Sequence, residues 1–166
     1  MATVTQQLDP GAAQFLSTAF PAFVRTGANF PVVGLAFDAT LDEAAFWLIR
    51  AVNYGSGNLT IHTDWYADVA STGDVVWESK LAVITPDTDT QDVETKALAT
   101  LNTVTDTHLG TVGQRLHRAI ITVTNLDALA ANDDVWVKLT RNAVNVADTM
   151  AGDAILTLAT VSYSDV

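Results

Sequence analysis

The chain of 166 residues contains no cysteine. That absence removes disulfides, thiolate zinc sites, iron–sulfur clusters and cysteine nucleophiles. Basic residues are scarce as well: eight Lys and Arg stand against 19 acids, for a formal net charge of -11. Phosphate recognition needs clustered Lys and Arg, so nucleic acid is excluded as a partner. The same charge argues against an anionic membrane surface. No stretch approaches the roughly 20 apolar residues that span a bilayer. The first ten residues lack the basic and apolar regions of a secretory signal, so the chain is expected to be made soluble in a cytoplasm.

What is present points to strands. Sixteen of the acids are Asp and only three are Glu, and Thr occurs 23 times. Asp favours turns and caps, whereas Glu favours helix interiors. Thr and the other β-branched residues favour pleated structure. Short segments confirm this by period. Leu59, Ile61, Thr63 and Trp65 alternate with Thr60, His62, Asp64 and Tyr66, the pattern of a half-buried strand. Similar runs are read over 32–37, 43–52, 75–85, 100–107, 114–124, 135–140 and 154–163, with a long loop after Pro86 and turns at Tyr54–Asn58, Ser71–Asp74 and Asn132–Asp134. About eight strands with turns at short intervals predict an all-β, antiparallel β-sandwich of the jelly-roll type. Residues 29–166 form that domain, and residues 1–28 are read as an extended N-terminal arm. Phe15, Phe20 and Phe23 are its apolar anchors, either folding back or docking on a neighbour.

Chemistry is sparse. His62, His108 and His117 have no metal-ligand spacing and read as exposed strand residues. Asp87, Asp89 and Asp92 lack the glycine and terminal glutamate of a helix-loop-helix calcium loop. Asp127, Asp148 and Asp153 form a carboxylate cluster only if the fold gathers them. Ser56 lies between glycines but without the pattern of a nucleophile elbow. Trp47, Trp65 and Trp77 fall on predicted inward faces. Trp136 alternates outward with Lys138, where an aromatic ring can anchor a subunit or stack on a sugar. No catalytic, metal or cofactor residue is assigned, and the expectation is a protein that is not an enzyme.

Several segments taken together, Gly34–Thr40, Trp65-Tyr66, Ser71–Glu78, Leu116-His117-Arg118, Asp148–Ala154 and Val161-Ser162-Tyr163, resemble small virion structural proteins of tailed bacteriophages. The resemblance runs from about Asn29 to Tyr163. It implies a capsid decoration (cement) protein, a trimer on the capsid surface of the virion, bound across capsomers to the major capsid protein or other virion proteins. The alternative it implies is a tail-fibre or baseplate module that binds host-surface glycan through Trp136. A carbohydrate-active enzyme is the remote third reading. On either assembly reading, Phe15, Phe20, Phe23 and Trp136 are the interface residues.

Overall fold

The computed structural model describes residues 2–166. Ten strands follow in order: β1 (Thr3–Leu8), β2 (Ala22–Thr26), β3 (Val32–Phe37), β4 (Glu43–Arg50), β5 (Tyr54–Ala67), β6 (Thr72–Ile84), β7 (Asn102–Leu109), β8 (His117–Val123), β9 (Asp134–Arg141) and β10 (Ala154–Asp165). Every pairing is antiparallel. Six strands form one sheet, β2-β3-β10-β5-β8 with β1 also on β10, and four form the other, β4-β9-β6-β7. The chain is therefore an all-β sandwich of the jelly-roll type, as the alternation implied.

The inward faces are those expected. Leu59, Ile61 and Trp65 of the large sheet meet Trp77, Leu81 and Val137 of the small one in a single buried core. Trp77 is met edge-on by Phe37, with centroids 5.2 Å apart, and lies 6.2 Å from Trp65. Such edge-to-face contacts between the sheets add to burial a preference for one relative placement.

Three expectations need correction. First, the arm is built into the sandwich. β1 pairs with β10 and β2 with β3, Leu8 is fully buried, and Asp9 O accepts a 2.8 Å bond from Trp47 Nε1. The period of β1 is hidden in sequence because its inward positions are Val4, Gln6 and Leu8. Gln6 is satisfied by Arg50 O and the Tyr163 hydroxyl, so a polar residue occupies a core-facing slot. Second, residues 54–58 belong to β5, and the turn lies just before them, where Asn53 takes φ 54. Third, His108 is fully buried and His117 half-buried. Both pack on Trp65, with centroids 6.0 and 5.5 Å away and 4.8 Å between the two imidazoles.

Loop 142–153 is tied down by Arg141, whose side chain is buried with Asp148. The guanidinium makes two bonds to the Asp148 carboxylate and one each to Phe37 O, Gly152 O and Met150 O. All five N–H donors are used, the condition under which a buried charge is tolerated.

On β10 the edge opposite β5 changes partner. It pairs with β3 over Ala154–Leu156 and with β1 from Ala159 onward. Between them the register slips at Thr157, a bulge of the kind that redirects a side chain.

Candidate functional site

The outer face of the large sheet is mostly polar, with the exposed Ile120 and the Asp64–Arg118 pair set beside a patch of hydroxyls. Thr60, Thr122, Thr160 and Ser162 share it with His62, as their register pairs show. One end departs from this pattern. Ala36, Ile155 and Tyr66 lie side by side across β3, β10 and β5 and are nearly buried, with Val24 and Val32 packed against them. This second apolar cluster lies outside the core, and its Tyr66, Ile155 and Val32 floor a groove of about 780 Å³.

Two loops wall the groove. The β2–β3 hairpin turns at Gly27, where φ is 96 and a Cβ would stand 2.0 Å from Phe30 O. Only glycine fits that turn. The turn presents Phe30, which is 70% exposed, on the groove. The opposite wall is the loop between β7 and β8. It enters through Gly110 at φ 68 and carries Gln114 and the exposed Leu116. The Gln114 N–H donates to Ala67 O over 3.1 Å, which fixes this loop to the end of β5.

Polar groups are few. Thr26 Oγ1 and the Tyr66 hydroxyl are 3.2 Å apart, and Thr157, displaced by the bulge, donates to Asp64 O. Among the described lining residues Asp68 is the one carboxylate, and there is no Lys, Arg or His. The nearby Arg118 is occupied: it forks onto Asp64 over 2.6 and 2.7 Å. Those hydrogen bonds and that charge raise its pKa further. Asp153, whose backbone carbonyl accepts from the Asp68 N–H, is pushed above the usual carboxylate range by partial burial, then by the charges of Asp68 and Asp38. Asp68 is therefore the one formal charge among the described lining residues.

An exposed aromatic ring, an apolar floor and a few convergent polar groups suit an uncharged amphipathic ligand. The groove does not assemble the two facing carboxylates used in glycoside hydrolysis. No group of three or more His, Asp or Glu among the described residues is arranged to hold a metal.

The residues singled out from sequence lie elsewhere. Phe15 and Phe20 pack on each other at 5.7 Å. Their segment runs along the edge of β4, where Gln14 bridges Phe46 and Ala19 O accepts from the Ala44 N–H. Phe23 is exposed on β2. Trp136 is on the outer face of the small sheet, half-buried between Leu48 and Ala82. The fold brings none of these four into the groove. Nor are the three loop aspartates gathered: Asp127 pairs with Lys96, and Asp148 with Arg141. Phe30, Asp68 and Gln114 went unnoticed in sequence. The available signal for Phe30 was an aromatic set between Gly27 and Pro31, a ring held in a turn that no core position explains.

No family model matches the chain, and no curated protein matches it. Among solved structures it is similar to CBM35 from Cellvibrio japonicus Abf62, at 12% identity over 99% of both chains with a TM-score of 0.51. It is also similar to the family 11 carbohydrate-binding module from Clostridium thermocellum, solved in complex with a β-1,3-1,4-mixed-linked tetrasaccharide. That match has 7% identity over 95% of this chain and 94% of that one, with a TM-score of 0.50. At such identities the shared property is the β-sandwich fold.

Proposed function

We propose that this chain is a non-catalytic glycan-binding module that holds a sugar chain in the groove over Tyr66 and Ile155. The observation that carries this is Phe30, a largely exposed ring held by a glycine-dependent turn beside an apolar floor at one end of a mostly polar sheet face. Sugar rings present apolar C–H faces and polar rims. An exposed aromatic takes the face while Thr26, Asp68, Gln114 and Thr157 take the hydroxyls. The fold is shared with carbohydrate-binding modules, which supports the reading. The comparisons offer nothing that points to a phage particle, a capsid partner or a trimer. The glycan alternative therefore stands first, through Phe30 rather than Trp136.

The test is affinity electrophoresis and calorimetry against a panel of soluble polysaccharides. Phe30→Ala is expected to weaken binding at least tenfold, about 1.4 kcal/mol, with an unchanged melting temperature, because the ring is solvent-facing. Trp136→Ala is expected to leave binding intact. If no polysaccharide binds, or if Phe30→Ala binds as the parent does, the reading fails.

A further inference from the structure

Seven described residues other than glycine have positive φ. Four are Asn or Asp, whose short polar side chains tolerate the left-handed region. The others are Ala19, Ala128 and Gln114, and of these three only Gln114 lines the groove. Its φ is 58, a conformation that is sterically unfavourable for an L side chain of this kind. The chain has glycine at hand in the same loop, at Gly110 and at the adjoining Gly113, yet places a long amide at the left-handed position. Backbone strain of this kind persists where the surroundings enforce it, and it concentrates at ligand-contacting sites. Here the enforcing contact is the bond from the Gln114 N–H to Ala67 O, one residue before Asp68.

We infer that Gln114 and Asp68 form the polar wall of the groove that reads the hydroxyls of an uncharged sugar, and that Asp68 turns away acidic glycans such as uronate polymers. This rests on the glycan-binding reading and adds a substrate class to it. The chemistry is complementary. A primary amide offers donors and acceptors and a carboxylate offers acceptors, whereas each sugar hydroxyl both donates and accepts. A uronate in the same place meets Asp68, and no lining residue is a cation. Arg118 is paired with Asp64, Asp153 is held above the usual carboxylate range by partial burial and then by the charges of Asp68 and Asp38, and the whole chain is strongly acidic. Like-charge juxtaposition excludes wrong partners more effectively than it lowers affinity for the right one.

The experiment uses the full chain and its variants Gln114→Gly, Asp68→Asn and Phe30→Ala. Each is titrated calorimetrically with mixed-linkage β-glucan, galactomannan and polygalacturonate, and melted in parallel. Gln114→Gly is expected to hold its melting temperature or raise it by up to about 3 °C, because glycine relieves the left-handed backbone. It is expected to bind the neutral polymer at least tenfold more weakly. Stability and binding moving in opposite directions is an outcome that a purely structural role does not produce. The parent chain is expected to bind polygalacturonate at least tenfold more weakly than the neutral polymer, and Asp68→Asn is expected to narrow that gap. The inference is overturned if Gln114→Gly binds within twofold of the parent, or if the parent takes polygalacturonate as tightly as a neutral polymer. In either case loss of binding in Phe30→Ala leaves the glycan reading standing. If the parent binds no polymer at all, that reading fails and this inference with it.

Discussion

Replacing Arg141 by methionine keeps an unbranched apolar stem and removes the guanidinium. What is lost is a bidentate pair with Asp148, at 3.0 and 2.8 Å, between side chains 0% and 1% exposed, together with bonds to three backbone carbonyls. Asp148 is left in the interior with a single remaining donor, the Val76 N–H at 3.0 Å. Breaking a buried pair by removing one partner costs about 3–5 kcal/mol, because the surviving charge is neither hydrated nor paired. For a domain of this size 1 kcal/mol corresponds to roughly 2–4 °C. Arg141→Met is therefore expected to melt roughly 8–16 °C lower, at about 4 kcal/mol. The control is Arg50→Ala, which breaks the Arg50–Asp134 pair. Its arginine side chain is 58% exposed, so the loss is at most about 1 kcal/mol. The double variant R141M/D148L is expected to cost less than R141M alone, since no lone charge then remains buried. Circular dichroism during heating and urea titration measures all three. The reasoning is refuted if R141M loses no more than Arg50→Ala. The effect reaches the groove too. Gly152, held by Arg141, sits where a Cβ would lie 2.4 Å from Asp68 Oδ1, and Asp153 O accepts from the Asp68 N–H. Glycan affinity is expected to fall in R141M even well below its melting temperature.

Gly27→Ala forces a Cβ onto Phe30 O at a left-handed φ. It should cost at least about 2 kcal/mol in urea titration and take glycan binding with it, since the turn that carries Phe30 must move; normal stability and binding would show the turn is adaptable. His117 supplies a pH dependence. Burial, then the neighbouring His108 and Arg115, hold its pKa below the ordinary 6.5, with Asp106 opposing, and its Nε2 is buried without a partner. The unfolded chain takes up this proton near pH 6.5 and the folded chain only at lower pH, so stability is complete above that value and declines as pH falls below it. Urea midpoints measured from pH 7.5 downward should fall more steeply for the parent chain than for His117→Asn, and equal slopes would show that the imidazole is not coupled to folding.

The sandwich was legible because its signals are local. Alternation in Leu59–Trp65 and Val135–Leu139 fixes which side chains go inward, and Asp-rich turns separate the strands, so the eight runs from Val32 onward correspond to strands and three tryptophans are core residues. β1 was not legible, because Gln6 interrupts its apolar face and its partner, β10, lies more than 150 residues away in the chain. The buried histidines were missed for a related reason: β7 and β8 lie in different sheets, and only their closure over Trp65 encloses both rings.

The candidate site shows the division most plainly. Composition by itself determined that the chain lacks thiol chemistry and the basic clusters of a nucleic-acid binder, and periodicity determined a two-sheet β fold. Both depend only on residue type and near-neighbour spacing. The groove depends on neither. Its floor comes from β3, β5 and β10, and its walls come from the Gly27–Phe30 turn and the Gly110–Leu116 loop, segments that strand pairing alone makes adjacent. Phe30 and Gln114 come to line one groove only when the tertiary fold sets a glycine-bound turn and a left-handed backbone beside the same apolar floor.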